Sequence, residues 1–188
     1  MNLKQHNPAL ILIDLQKAFD NEAYWGGNRN NKNAEEHCVA ILEKWRELKL
    51  PIFHIMHSSQ NPESLLHESN NGFEIKDQLK PLAHEPVIKK SVNSAFIGTD
   101  LKAQLDKQKI SHVVIVGLTT NHCVSTTTRM AGNYGYVTYL ISDATATFDR
   151  IGVNGEHFDA ELIHQTTLAN LHNEFAQVID TNTLLSIL

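Results

Sequence analysis

The chain of 188 residues reads as a three-layer α/β/α protein built on a central, mostly parallel six-stranded sheet. Two observations predict this class. Short, continuous runs of branched apolar residues recur along the chain, as in strands covered on both faces. Between them lie segments whose apolar residues fall three or four apart, the spacing of one helix face, and strands alternating with helices imply parallel pairing through right-handed crossovers.

The first run is Ala9-Leu10-Ile11-Leu12-Ile13, which stops at Asp14. A helix is expected over Asn33 to Leu48, with Val39, Leu42, Trp45 and Leu48 on one side, and Pro51 prevents its continuation into the strand Pro51 to His57. From Ser58 to Glu85 the pattern gives way to polar and turn residues, including Pro62, Gly72 and Pro81, so a long functional loop is expected. A short strand, Pro86-Val87-Ile88, runs into Lys89-Lys90, and Thr99 caps a helix carrying Leu101 and Leu105. The strand His112 to Val116 ends at Gly117; the polar turn Leu118 to His122 leads into a helix expected from Cys123 to Tyr134, with Gly135 as its C-cap. A strand over Val137 to Ile141, a helix over Phe158 to His172, a strand over Ala176 to Ile179 and a terminal helical turn complete a single domain spanning residues 1–188.

Composition narrows the function. With 16 basic and 21 acidic residues the net charge is −5, and the basic residues are scattered, which excludes the electrostatic footprint of a nucleic-acid or anionic-membrane protein. At 41% hydrophobic and 20% charged residues the chain is an ordinary globular one. The expected partner is a small molecule. The apolar run Pro8 to Ile13 is too short for a signal-peptide core or a membrane span, and two cysteines make no disulfide framework, so a cytoplasmic setting is expected.

In a sheet of this kind ligands bind beyond the carboxyl ends of the strands, where the strand order reverses. Asp14, Lys90 and the Gly117 to Cys123 turn all sit just past such ends. At the start of a helix, Cys123 would have its thiolate favoured, which suits a nucleophile; position alone equally allows a small buried hydrophobe. Asp14 reads as a general base or as a cap, and Lys90 as its cationic partner or as a solvated surface charge. Cys38, inside the first helix, reads as structural. His54 and His57 lie three apart on a strand, so their side chains face opposite ways, and no metal site or cofactor is expected.

Four segments carry a resemblance. They are Ile11-Leu12-Ile13-Asp14-Leu15-Gln16 with Phe19, Lys90-Ser91-Val92-Asn93-Ser94-Ala95-Phe96, Val116 through Val124, and Gly135-Tyr136 through Ser142-Asp143-Ala144. In this order and spacing the chain resembles the isochorismatase-like cysteine hydrolase superfamily, from about Pro8 to Ile179. The resemblance implies that superfamily's Rossmann-like fold, with Asp14, Lys90 and Cys123 as catalytic triad. It also implies a cis Leu118–Thr119 bond and an oxyanion hole made by the N–H groups of Thr119 and Cys123. The implied reaction is cleavage of an amide or ureido C–N bond through a Cys123 thioester. Alternatives are a nicotinamidase-like activity, an isochorismatase-type vinyl-ether hydrolysis, against which the cysteine argues, and a silent binding or redox protein. Substrate contacts are expected from Gln16, Phe19, Trp25, His57, Phe96, Asn121, Phe148 and Arg150, the last as receiver of a substrate carboxylate or as a solvated loop charge. A homo-dimer or homo-tetramer, with a neighbouring subunit completing the pocket, is likewise implied.

Overall fold

The computed structural model describes residues 2–188. Among these residues, eight strands and six α-helices follow one another as β1 (Ala9–Ile13), α1 (Glu22–Trp25), α2 (Ala34–Leu48), β2 (Ile52–His57), β3 (Val87–Lys90), α3 (Leu101–Lys107) and β4 (His112–Leu118). The second half comprises α4 (Ser125–Asn133), β5 (Val137–Ala146), β6 (Arg150–Ile151), β7 (His157–Phe158), α5 (Ala160–Leu171), β8 (Gln177–Ile179) and α6 (Thr181–Ser186). Six strands form one sheet in the order β3-β2-β1-β4-β5-β8, and every pairing in it is parallel.

The alternation of side chains along β1 explains the two cores. Leu10 and Leu12 project to one face, where they meet Trp45 of α2 and Leu184 of α6, while Ala9, Ile11 and Ile13 project to the other, with Leu101 and Leu105 of α3 and Leu171 of α5. A sheet with helices on both faces must be apolar on both, which is why its strands read as unbroken apolar runs. Chain order reverses between β1 and β4, and the carboxyl ends of these two strands hold Asp14 and the turn that carries Cys123.

Three departures from expectation follow from local detail. β5 does not stop at Ile141 but runs to Ala146, because it advances from Leu140 to Thr145 while β4 advances only from Ile115 to Gly117. This irregularity hides the second half of the strand among polar residues. The loop between Phe148 and Phe158 contains the small antiparallel hairpin β6-β7, so Phe158 belongs to a strand and α5 begins at Ala160. Cys123 precedes its helix: Thr120–Val124 form a π-helical turn, closed by the Val124 N–H donating to the Thr119 carbonyl at 3.3 Å, and α4 starts at Ser125. Among the described residues, no helix is long and apolar enough to cross a membrane.

Candidate active site

β1 delivers Asp14, whose backbone leaves the strand in the left-handed region at φ +48°. β4 passes so close that a Cβ on Gly117 would lie 2.0 Å from the Ile13 carbonyl oxygen, and Gly117 itself has φ +121°. Only glycine fits there. The Leu118–Thr119 peptide bond that follows is cis. The π turn then brings Cys123 back over the end of β1.

Lys90, the last residue of β3, reaches the same point. Its Nζ lies 2.7 Å from Asp14 Oδ2, 3.2 Å from Cys123 Sγ and 3.1 Å from His57 Nδ1. The side chains of Lys90 and Asp14 are both 0% exposed, whereas Cys123 retains 8%, so the sulfur is the member nearest the surface. Buried charges of this kind are tolerated when paired and hydrogen-bonded. One atom escapes this pairing: Asp14 Oδ1 is buried without a hydrogen-bond partner. Burial first, and the Asp14 carboxylate second, push the Cys123 thiol pKa up, with the Lys90 ammonium opposing them. The surroundings thus favour the thiol, whereas a helix start would favour the thiolate, and Cys123 precedes its helix.

Asn93, three residues beyond Lys90, places its Oδ1 3.7 Å from Cys123 Sγ. Sequence reasoning passed over it, although it lies inside the Lys90 to Phe96 segment already singled out. His122 was missed as well. Its Nδ1 lies 3.1 Å from Thr119 Oγ1 and 3.3 Å from Arg150 Nη2, which links the turn to the hairpin strand β6.

The expected pocket wall separates into three groups. Gln16 is not a substrate contact: it is 0% exposed, and its amide is consumed by the His57 N–H and carbonyl and by the Phe73 carbonyl. Phe148, also 0% exposed, stacks on Phe19, and Phe96 packs against Tyr134 and Tyr136; these rings are core, because their apolar area finds neighbours before it finds a cavity. Phe19 is likewise buried, between Phe148 and Trp25. His57, Asn121, Trp25 and Arg150 remain. Asn121 accepts a hydrogen bond from Thr147 Oγ1, and Trp25 and Arg150 line a cleft of about 290 Å³ with Tyr24, Ile151 and His157.

Arg150 is a partly buried cation whose hydrogen-bond partners are neutral; Asp149 lines the same cleft, but its oxygens are engaged by Asn28, His157 and the Ala160 N–H. Its guanidinium meets the Trp25 carbonyl at 3.4 Å and His122 Nδ1 at 3.3 Å, while its Nε is buried without a partner. Among the described residues no carboxylate pairs with it. His54, on the opposite face from His57, is bound to Glu85 at 2.8 Å and belongs to the scaffold.

Among the described residues, two clusters hold metal-type donors. Asp14, His57 and Cys123 bring donor atoms within 4.8 Å of one another, but all three already surround the Lys90 ammonium. A metal ion would have to displace that cation. The second cluster, Asp149, His157 and Asp159, has its two latter members exposed, and Asp149 is engaged by the Ala160 N–H and His157.

A parallel sheet with titratable side chains gathered at its switch point defines an α/β protein with a candidate active site beyond its strand ends. The comparisons carry this further. The model of the isochorismatase domain matches residues 8–183, and the chain belongs to the isochorismatase family. It is 50% identical over 182 residues to the uncharacterized isochorismatase family protein YrdC of Bacillus subtilis (strain 168), covering 97% of this chain and 96% of that one. Nicotinamidase 3 of Arabidopsis thaliana is 29% identical over 189 residues, covering 94% of this chain and 86% of its own. Among solved structures, a putative hydrolase of the isochorismatase family from Chromobacterium violaceum superimposes with a TM-score of 0.93 at 38% identity, covering 97% of this chain and 93% of that one. The protein is a hydrolase.

Proposed function

We propose that the protein hydrolyses the amide or ureido C–N bond of a small molecule that carries a carboxylate, through a thioester on Cys123. The observation that carries this reading is the buried Lys90 ammonium between Asp14 Oδ2 and Cys123 Sγ, with Asp14 Oδ1 left free to accept a proton. Asp14 takes the thiol proton as sulfur attacks the carbonyl carbon, so the thiolate never has to exist at rest. Lys90 keeps its charge throughout and stabilises the negative charge as it moves from sulfur to substrate. The N–H groups of Thr119 and Cys123, at the two ends of the turn, receive the oxyanion; one such donor is typically worth about 3 kcal/mol.

When the C–N bond breaks, the nitrogen leaves with the proton held by Asp14, and the thioester remains. Water then attacks it, giving its proton to Asp14 and the acyl group its hydroxyl; the sulfur recovers the proton and the acid departs. Each half-reaction returns Asp14 to the carboxylate form.

Arg150 supports the carboxylate. A cation that has lost part of its hydration, with only neutral partners, is costly unless the ligand supplies the anion, and a bidentate pair with a carboxylate is what a guanidinium does best. Burial pulls the Arg150 pKa down from its ordinary value, which records the same uncompensated desolvation. Its contact with His122, the residue before Cys123, ties Arg150 to the turn that carries the nucleophile. The test is ammonia or amine release from a panel of small N-acyl and N-carbamoyl amino acids and their neutral analogues. Turnover of carboxylate-bearing members that Cys123→Ala abolishes is the expected result; turnover that survives Cys123→Ala rejects the mechanism.

A further inference from the structure

His57 and Lys90 are register partners, the last paired residues of β2 and β3. Partners on adjacent parallel strands project to the same face, so these two side chains emerge together beside Asp14. An ammonium has three N–H donors and no acceptor. Lys90 finds an acceptor for each: Asp14 Oδ2, Cys123 Sγ and His57 Nδ1 at 2.7, 3.2 and 3.1 Å. Because Lys90 can only donate, Nδ1 must be the lone-pair nitrogen of a neutral ring, with the proton on Nε2.

The backbone that carries the ring is also held. Gln16 Oε1 accepts the His57 N–H at 2.8 Å, and Gln16 Nε2 donates to the His57 carbonyl at 3.1 Å, so the strand end that carries the imidazole is clamped on both sides. This is the work of a fully buried glutamine that the substrate does not reach. Gln16 thus fixes the backbone of His57, while the imidazole meets the ammonium through Nδ1.

We propose that His57 is a positioning residue for the reaction: its Nδ1 takes the third N–H of Lys90 and thereby holds the ammonium between Asp14 and Cys123. The inference rests on the reading of Cys123 as nucleophile. Without this acceptor one N–H of a fully buried ammonium is orphaned, and Lys90 can satisfy it only by turning away from one of its other two partners. The charge that steadies sulfur and oxyanion then moves out of place.

The test compares wild type, His57→Asn, whose Oδ1 can stand where Nδ1 does, and His57→Leu, which has no acceptor. The probe is p-nitrophenyl acetate: the burst of nitrophenolate gives the acylation rate, and intact mass with peptide mapping locates the acetyl group on Cys123. His57→Leu is expected to acylate at least about tenfold more slowly than wild type, and His57→Asn to recover most of the loss. Nitrogen-15 spectra of labelled histidine provide the second readout, with His57 protonated at Nε2 in wild type and this tautomer preference lost in Lys90→Met. Equal rates in wild type and His57→Leu, no recovery in His57→Asn, or a proton on Nδ1 in wild type overturns the proposal. A wild type that never acylates at Cys123 overturns the nucleophile reading itself, while the spectra still report on the Lys90 contact.

Discussion

At Cys123 two opposed effects meet. Burial and the adjacent carboxylate disfavour the thiolate, and the Lys90 ammonium favours it. The net direction is upward, which suits the proposed mechanism, in which Asp14 takes the proton at the moment of attack. Cys123→Ala should therefore lower turnover by about ten-thousand-fold or more while leaving the folded state intact, measured as kcat against the melting temperature. Arg150 acts at a different step. Arg150→Met should raise KM for carboxylate-bearing substrates by the equivalent of about 2–5 kcal/mol and leave neutral analogues nearly unaffected. An equal loss on both substrate types would assign Arg150 to the scaffold. At this scale the meeting of Asp14, Lys90 and the Gly117 to Cys123 turn was legible, because each lies just past the carboxyl end of a strand. The fate of Gln16, Phe96 and Phe148 was not, because whether an aromatic or amide side chain faces a cavity or the core depends on neighbours distant in the chain.

Elements decide where those residues meet. Gly117 allows β4 to pass the end of β1, and any side chain there collides with the Ile13 carbonyl. Gly117→Ala should destabilise the fold by about 2–4 kcal/mol, read from urea unfolding; an unchanged midpoint would show that the backbone can shift away. The long loop between β2 and β3 is tied down at its end by Glu85. Burial pushes this carboxyl upward, yet hydrogen bonds from Arg46, the Leu82 N–H and His54 outweigh it and hold its pKa at about 2, below an ordinary 4.5. A pKa depressed by folding adds stability that is complete above the unfolded value and is lost as pH falls through the folded one. Stability of the wild type should thus drop between about pH 4.5 and 2, and Glu85→Gln should flatten that part of the curve. Strands β1 and β4 and helix α2 were readable from periodicity. The second half of β5 and the hairpin β6-β7 were not, since an irregular register and two-residue strands leave no periodic trace.

Over the whole molecule, the strand order β3-β2-β1-β4-β5-β8 gathers residues 14, 57, 90 and 123 at one end of the sheet. The switch-point rule located that end from the sequence, whereas the contact of Lys90 with His57 required the register of β3 against β2. The arrangement supports the proposed proton transfer between the Asp14 carboxylate and the Cys123 thiol beside the Lys90 ammonium. The most direct test is the pH dependence of Cys123 alkylation by iodoacetamide, followed by peptide mapping, in wild type and Asp14→Asn. In wild type the reaction should titrate above the roughly 8.5 of a free thiol. Removing the Asp14 charge leaves Lys90 to stabilise the thiolate alone, so Asp14→Asn should titrate at lower pH than wild type and yet fail to turn over substrate. A Cys123 that titrates as an ordinary thiol in both proteins would contradict the coupling on which the account rests.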